Sequence, residues 1–153
     1  MIKKDTRVAV LGAGAMGCLF GGLLAEKGLE VVLIDVWKEH VDEINKKGLK
    51  MMGHGGDRIV KIKATTEPKK LGKYDAIIIM CKATALENAL SNAKNIIGDN
   101  TLLMSFQNGI GHEEIMQNIA GKEKVLGGST TQASSIQGPG TVSYTHLTLP
   151  TNS

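Results

Sequence analysis

The sequence predicts a doubly wound α/β domain, in which a mostly parallel sheet carries helices on both faces. Short runs of β-branched apolar residues alternate along the chain with longer stretches of helical periodicity, and this alternation favours parallel strands joined by helices. A glycine-rich turn, Gly12–Gly17, follows the first apolar run and opens the first helical stretch. A chain of 153 residues has room for one such domain and is short for two.

The first half of the chain is predicted to form two strand–helix units followed by a hairpin. Apolar residues spaced i, i+3, i+4, i+7 and i+8 from Met16 form a helical stripe, and Gly28 ends that helix. The next helix places Trp37, Val41 and Ile44 on one face. The predicted elements are strands at 7–12 and 30–35, helices at 15–28 and 37–48, and two short strands around a glycine-rich turn at 49–63.

The second half contains the most apolar run, at 75–82, which we expect at the centre of the sheet. Thr84 and Glu87 have the T-x-x-E spacing of a capping box at the start of the following helix. That helix ends at Gly98, and its apolar stripe consists of Leu86, Leu90, Ala93 and Ile97. The remaining elements are a strand at 101–109, a helix at 112–121 and a last strand and loop at 124–134.

Charge and composition argue against several classes of function. The net charge of +3 is spread over turns and helix ends, so no basic face for nucleic acid is predicted. No apolar run approaches the length of a membrane span, and the N-terminus lacks the apolar stretch of a signal peptide. Cys18 and Cys81 lie in apolar stretches, which indicates buried, reduced thiols and a cytoplasmic protein. His40, His54 and His112 lack metal-ligand spacing, so no metal site is predicted.

The glycine-rich turn has the pattern G-x-G-x-x-G between a strand and a helix, the context of a Rossmann-like dinucleotide fingerprint. Gly12 permits a tight turn, Gly14 lets a pyrophosphate approach the main chain, and Gly17 lets the helix pack against the sheet. The free amides and positive dipole end of the helix then bind the phosphates. The predicted cofactor-binding residues are Gly12, Ala13, Gly14, Ala15, Met16 and Gly17. A purely structural glycine turn is the alternative.

Asp35 ends the second predicted strand, where a carboxylate can accept hydrogen bonds from the ribose 2′-OH of NAD. The same carboxylate would repel the 2′-phosphate of NADP unless a cation such as Lys38 intervened. The alternative is a helix-capping aspartate ahead of Trp37, and the two roles are compatible. The choice between NADH and NADPH stays open at this point.

Two polar residues follow apolar strands at the edge where doubly wound sheets bind their ligands. Lys82 follows the run IIIMC, and Asn108 follows LLMSFQ and precedes Gly109. A lysine can orient an anionic group, and an asparagine can both donate and accept hydrogen bonds. We therefore expect Lys82 and Asn108 to orient substrate and cofactor. The alternatives are a solvent-exposed lysine and an Asn-Gly turn.

The ordered motifs LGAGAMG, CKA, QNGIG and GGSTTQAS…GPG resemble the N-terminal half of ketopantoate reductase (2-dehydropantoate 2-reductase) over residues 7–142. The resemblance implies hydride transfer from a nicotinamide cofactor, usually NADPH, to the keto carbon of 2-dehydropantoate on the route to coenzyme A. It implies that residues 12–17 hold the pyrophosphate, that Lys82 lies beside cofactor and substrate, and that Asn108 contacts both. It also implies that the main chain near Ala133 and Ser134 lines the nicotinamide side.

Two departures from that family limit the inference. The usual NADP-binding member has a basic residue near the end of the second strand, where this chain has IDVWKEH. The family also carries its proton-donating lysine in a helical second domain, which is missing here. Because reduction of a ketone needs an acid to protonate the developing alkoxide, we expect a fragment that binds a dinucleotide weakly and does not turn over. The full-length form would act on a small 2-keto acid, and a homo-oligomer of that form is left open.

Residues 142–153 raise a separate question. The string VSYTHLTLPTNS resembles a translated transposase adapter of the kind used in shotgun sequencing libraries. We therefore predict a dinucleotide-binding domain at 1–141 and a non-native tail at 142–153, in which His146 has no function. The alternative is a real edge strand, in which Val142, Tyr144 and Leu147 would be partly buried.

Two other functions compete with a 2-dehydropantoate reductase. Another two-domain dehydrogenase, of the β-hydroxyacid or glycerol-phosphate type, would share the glycine turn and a helical partner domain. A non-catalytic nucleotide-sensing module would bind the cofactor without any second domain.

Overall fold

The computed structural model describes residues 5–53, 55–106, 112–127 and 133–145. The strands are β1 (Arg7–Leu11), β2 (Glu30–Ile34), β3 (Leu49–Gly53), β4 (Arg58–Val60), β5 (Lys63–Thr65), β6 (Tyr74–Ile79), β7 (Ile97–Ser105), β8 (Val125–Gly127), β9 (Ala133–Gly138) and β10 (Thr141–Thr145). The α-helices are α1 (Ala15–Glu26), α2 (Lys38–Lys47), α3 (Ala83–Asn92) and α4 (His112–Ala120).

Six strands form the main sheet, in the order β5-β2-β1-β6-β7-β8. Every neighbouring pair is parallel, which confirms the predicted doubly wound class and the central position of the most apolar strand, β6. Successive residues of a strand point to opposite faces, so the central strands feed two buried layers. Val8 and Val10 belong to the core that contains α1, whereas Ala9, Leu11 and Ile77 belong to the core that contains α3 and α4.

A second, four-stranded sheet has the order β4-β3-β10-β9 and was not predicted. Its hairpin β3–β4 confirms the two short strands expected around the glycine-rich turn. β10 pairs in parallel with β3 and antiparallel with β9, so the sheet joins segments that are far apart in the sequence. Its buried residues Leu49, Met51 and Val142 belong to the same core as α1.

Helix α1 lies between the two sheets, and two adjacent glycines allow both sheets to approach it. A Cβ on Gly21 would lie 2.5 Å from Cδ2 of Leu33 in the main sheet. A Cβ on Gly22 would lie 2.5 Å from Sδ of Met51 in the second sheet. Both helix faces are therefore packed, and no helix of the described ranges is both long and apolar enough to cross a bilayer.

The start and end of α3 differ from the prediction. The helix begins directly after Lys82, an extended N-cap residue, and no side chain caps it, so the capping box of Thr84 and Glu87 is wrong. Ile97 opens β7 instead of lying in the helix, because the chain first turns through a 3-10 helix at Lys94–Ile96.

The buried face of α2 also differs from the prediction. Val41 and Ile44 are buried as expected, but Trp37 precedes the helix and is 40% exposed. His40 takes the remaining buried position and has no exposed area. The indole of Trp37 stacks on the His40 ring, with 4.7 Å between the ring centroids.

Strand β10 extends the fold past residue 141. Val142 has no exposed area, Tyr144 is 5% exposed, and the Tyr144 hydroxyl accepts a 3.0 Å hydrogen bond from Arg58. The burial of Val142 and Tyr144 agrees with the strand alternative up to residue 145, but β10 lies between β3 and β9 and is not the edge strand of that alternative. Alternating apolar residues suit a strand whatever their origin, so the adapter origin of 142–153 stays a prediction. Residues 146–153, including His146 and Leu147, lie outside the described ranges.

Replacing Val142 with alanine tests whether β10 is part of the core. Since Val142 is fully buried, Val142→Ala should lower the free energy of unfolding by about 2 kcal/mol through lost apolar burial and a residual cavity. The matched control is Val36→Ala, because Val36 is 94% exposed and should change it by no more than about 0.5 kcal/mol. Urea unfolding followed by circular dichroism measures both, and equally small effects would remove β10 from the core.

Candidate functional site

The turn between β1 and α1 is packed too closely for side chains. Gly12 has φ +108°, a conformation that favours glycine, and its N–H donates to the carbonyl of Ile34 at 2.8 Å. A Cβ on Gly12 would lie 2.6 Å from the main-chain nitrogen of Cys81, just beyond β6. A Cβ on Gly17 would collide with the carbonyl oxygen of Gly12. The two glycines therefore bring the start of α1 against the ends of β1 and β6.

Gly14, in contrast, faces open space. It is the exposed N-cap residue of α1, and no atom lies within 4 Å of a Cβ built on it. No side chain caps the helix and no acidic residue lies in its first turn, so the first-turn amides are left for an anionic ligand. The loop thus presents uncapped main-chain amides at a helix N-terminus, an arrangement that can hold an anionic group.

Asp35 supports this loop from the end of β2. Its Oδ2 accepts a hydrogen bond from the N–H of Ala13 at 2.7 Å, and its Oδ1 accepts one from the N–H of Trp37 at 3.0 Å. The carboxylate thus has a structural role ahead of α2 and still borders the cavity described below. Lys38, which the sequence suggested as a partner for a phosphate, is instead paired with Asp42 at 2.7 Å. That hydrogen bond raises the pKa of Lys38.

A cavity of about 500 Å³ opens at the carboxyl edge of the main sheet. Gly12, Asp35 and Cys81, which follow β1, β2 and β6, lie along it, with α3 on one side and residues 66–70 on the other. Its volume is in the range of cofactor sites, and this edge is where doubly wound sheets bind ligands. The cavity is therefore continuous with the glycine loop through Gly12.

The structure brings two further candidate residues to this region. Lys82 is exposed and is the N-cap residue of α3, shortly after β6. Ser134 lies on β9, with its Oγ 3.0 Å from Sδ of Met16 in the first turn of α1. Asn108 lies outside the described residues. The roles of Lys82, Asn108 and Ser134 in binding remain predictions.

Burial keeps both thiols largely protonated at neutral pH. Burial, with the charge of Asp35 as a smaller cause, raises the pKa of Cys18 to about 12. Burial also raises the pKa of Cys81 to about 11. Cys18 is buried as predicted, whereas Cys81 is partly buried and lines the cavity. Within the described ranges, no three His, Cys, Asp or Glu side chains are arranged to hold a metal ion.

His40, which the sequence predicts not to be a metal ligand and to which no other role was assigned, also lies in this region. Its Nε2 lies 2.8 Å from the carbonyl oxygen of Ala13, and its Nδ1 lies 2.8 Å from the amide nitrogen of Gly140. One signal could have pointed to it: His40 lies four residues before Ile44, on the apolar face of α2. A polar residue on a buried face needs partners; here they are main-chain groups of Ala13 and Gly140, with Sγ of Cys18 a further 3.4 Å contact of Nε2.

Known proteins resemble this chain in sequence and in structure. The family described as ketopantoate reductase PanE/ApbA matches residues 8–151. The 2-dehydropantoate 2-reductase of Pyrococcus abyssi is 41% identical over 140 residues, and that of Lactococcus lactis is 35% identical over 136 residues. Among solved structures, a PanE/ApbA family ketopantoate reductase from Ralstonia eutropha has a TM-score of 0.84 at 31% identity. D-mandelate dehydrogenase with NADH and anilino(oxo)acetate has a TM-score of 0.87 at 35% identity.

These matches cover most of this chain but less than half of each relative. The two reductase sequences match 91% and 88% of the chain and 44% of their own length. The two structures match 91% and 92% of the chain and 46% of their own chains. Since the family match extends over nearly the whole sequence, the chain belongs to the ketopantoate reductase family.

Proposed function

We propose that this chain is the cofactor-binding half of a reductase that transfers hydride from NAD(P)H to a 2-keto acid, with 2-dehydropantoate as the leading substrate. The observation that carries the proposal is the open face of Gly14 at a helix N-terminus, beside a cavity at the carboxyl edge of the sheet. Family membership and 41% identity to a 2-dehydropantoate 2-reductase support this substrate.

Different residues at the carboxyl edge of the main sheet bind different parts of the cofactor and substrate in this proposal. The amides that begin at Gly14 bind the pyrophosphate, and the cavity beside Asp35 takes the adenosine end. Lys82 orients the oxygens of the substrate, and Asn108 forms hydrogen bonds with both substrate and cofactor. The main chain at Ser134 lines the nicotinamide side. When bound, the reduced nicotinamide supplies the hydride.

The proton donor is assigned to the part of the relatives' length that this chain does not span. Reduction of a ketone needs an acid at the developing alkoxide, and Cys81, which lines the cavity, is held as a thiol of high pKa by burial. We therefore propose that the chain binds cofactor without turning over. The two free cysteines fit a reducing compartment, and we place the reaction in the cytoplasm.

We further propose that NADH is preferred to NADPH. The carboxylate of Asp35 borders the cavity, and the neighbouring Lys38 is held by Asp42. A 2′-phosphate at this position would meet the negative charge of Asp35 without Lys38 to offset it. Lys69 and Lys70 also line the cavity; Lys70 is paired with Glu67, and Lys69 is a cation that would weaken this preference. The structure of D-mandelate dehydrogenase, 35% identical to this chain, contains NADH, which supports the same preference.

A second candidate substrate is a 2-keto acid other than 2-dehydropantoate. D-mandelate dehydrogenase, with a TM-score of 0.87, favours it, because that protein was solved with anilino(oxo)acetate, an amide analogue of a 2-keto acid. We also propose that residues 142–153 derive from a sequencing adapter. This fits the proposal that the chain is one half of a longer reductase, because native coding sequence would then continue from about Thr141.

Gly14→Ala tests the position of the pyrophosphate. No atom lies within 4 Å of the added Cβ, so the free energy of unfolding should change by no more than about 1 kcal/mol. The methyl group would occupy the space of the ligand, so the dissociation constant for NADH should rise at least about tenfold. The control is Gly138→Ala, where a Cβ also meets nothing within 4 Å, and calorimetric titration measures both. Unchanged affinity in Gly14→Ala would place the diphosphate elsewhere.

Asp35→Asn tests the cofactor preference. Wild-type chain should bind NADH about tenfold more tightly than NADPH, and the variant should narrow that ratio because it lacks the charge that repels a 2′-phosphate. The ratio of the two dissociation constants is the measurement, because a general weakening of the loop affects both cofactors alike. Asp99→Asn should leave the ratio unchanged, because this exposed aspartate lies near the amino end of β7, away from the carboxyl edge of the sheet. An equal or larger ratio in Asp35→Asn would contradict the assignment.

Joining residues 1–141 to their native downstream sequence, or to the C-terminal half of the Pyrococcus abyssi relative, should create a reductase. The 153-residue chain should show no turnover, and the longer protein should oxidise NADH in the presence of 2-dehydropantoate. Phenylglyoxylate, the keto acid of mandelate, is tested in parallel and would be preferred if the second candidate is right.

Lys82→Ala in the longer protein should lower kcat/KM about 100-fold, whereas Lys94→Ala, at another exposed lysine, should not. Full turnover by the 153-residue chain would contradict the proposal that the proton donor lies outside this chain.

A further inference from the structure

The buried imidazole of His40 contacts the glycine loop and the β9–β10 hairpin at the same time. The side chain has no exposed area and projects from the first turn of α2. Its Nδ1 accepts a 2.8 Å hydrogen bond from the N–H of Gly140, a residue 100 positions further along the chain. The stacked indole of Trp37, with its centroid 4.7 Å from that of the imidazole, covers one face of the ring.

These contacts fix the position of the ring proton. Because an amide N–H can only donate, the Nδ1 that faces Gly140 must be the unprotonated acceptor of a neutral imidazole. The proton is then on Nε2, and Nε2–H donates to the carbonyl oxygen of Ala13 at 2.8 Å. The Sγ of Cys18 lies 3.2 Å from the same oxygen and adds a weaker donor.

The peptide group between Ala13 and Gly14 is therefore held in one orientation. The described chain contains no cis peptide bond, and in a trans peptide the C=O and the N–H point in opposite directions. Since His40 holds the carbonyl of Ala13 toward the interior, the N–H of Gly14 points away from His40, and Gly14 itself is exposed. The N–H of Ala13 is fixed separately by Asp35 at 2.7 Å.

We infer that His40 is a positioning residue for cofactor binding: its Nε2–H holds the peptide group between Ala13 and Gly14 so that the Gly14 amide faces the diphosphate. The inference rests on the proposed dinucleotide site. It assigns to a side chain outside the glycine motif the preorganisation of one amide in that motif. A donor at the Nε2 position is what the arrangement needs, whereas the acceptor at Nδ1 serves to orient the ring.

Two amide variants separate these two positions. In His40→Gln the carboxamide reaches the place of Nε2 and can still donate to the carbonyl of Ala13. In His40→Asn the carboxamide reaches only the place of Nδ1, so the contact with Gly140 can form and the contact with Ala13 cannot. Both variants lose the ring and its stacking on Trp37, and both should be less stable than wild type in urea unfolding.

Calorimetric titration of the 153-residue chain with NADH, and separately with NADPH, then decides the role of His40. We expect His40→Gln to bind the cofactor within about threefold of wild type and His40→Asn to bind at least about tenfold more weakly, because only the first keeps the Ala13 contact. Nitrogen-15 NMR of the wild-type imidazole should show the neutral form with its proton on Nε2.

Four outcomes would overturn the inference. If affinity in the two variants falls equally, in proportion to their lost stability, His40 is merely structural. If both variants bind like wild type, or the imidazole carries its proton on Nδ1, the peptide group is held by something else. If wild-type chain, shown to be folded by circular dichroism, binds neither cofactor, the proposed function fails and the role of His40 in it fails as well.

Discussion

At two glycines of the turn between β1 and α1, the surrounding atoms leave no space for even one added methyl group. A Cβ on Gly12 would press on Cys81, and one on Gly17 would collide with the carbonyl of Gly12. That close approach places the amino end of α1 at the carboxyl edge of the central strands, where main-chain amides and a cavity meet. The anion-binding geometry is therefore a result of how tightly one helix packs on one sheet. Every proposed contact of the cofactor depends on that packing.

The second sheet provides the other surface on which α1 rests. Gly22 lets Met51 approach the helix, and Arg58 donates to both carboxylate oxygens of Glu26, at 2.5 and 2.9 Å, near the end of α1. The hydrogen bond from Arg58 lowers the pKa of Glu26. Such a pair stabilises a protein by only about 1 kcal/mol, so apolar burial between helix and sheet is the larger contribution. The helix that carries the glycine loop is thus held from both sides.

The sequence was sufficient for features that depend on local pattern and insufficient for those that depend on distant partners. The main sheet was predicted from the alternation of strands and helices. Because the carboxyl ends of parallel strands lie at the same edge of a sheet, Asp35 could be placed near Gly12 in advance. The pairing of β10 with β3 joins segments whose register no local pattern specifies. The contact between His40 and Gly140 spans 100 positions and was missed for the same reason. The capping box at Thr84 failed because Lys82 already occupies the N-cap in extended conformation.

The stacking of Trp37 on His40 gives the molecule an optical property of its own. The chain has one tryptophan, so its tryptophan emission comes from a single known place. That indole is 40% exposed, and its ring lies against an imidazole hydrogen-bonded to Ala13. A change in the glycine loop would alter the surroundings of the indole and with them its emission. The fluorescence of the unmodified protein therefore reports on the loop without any attached dye.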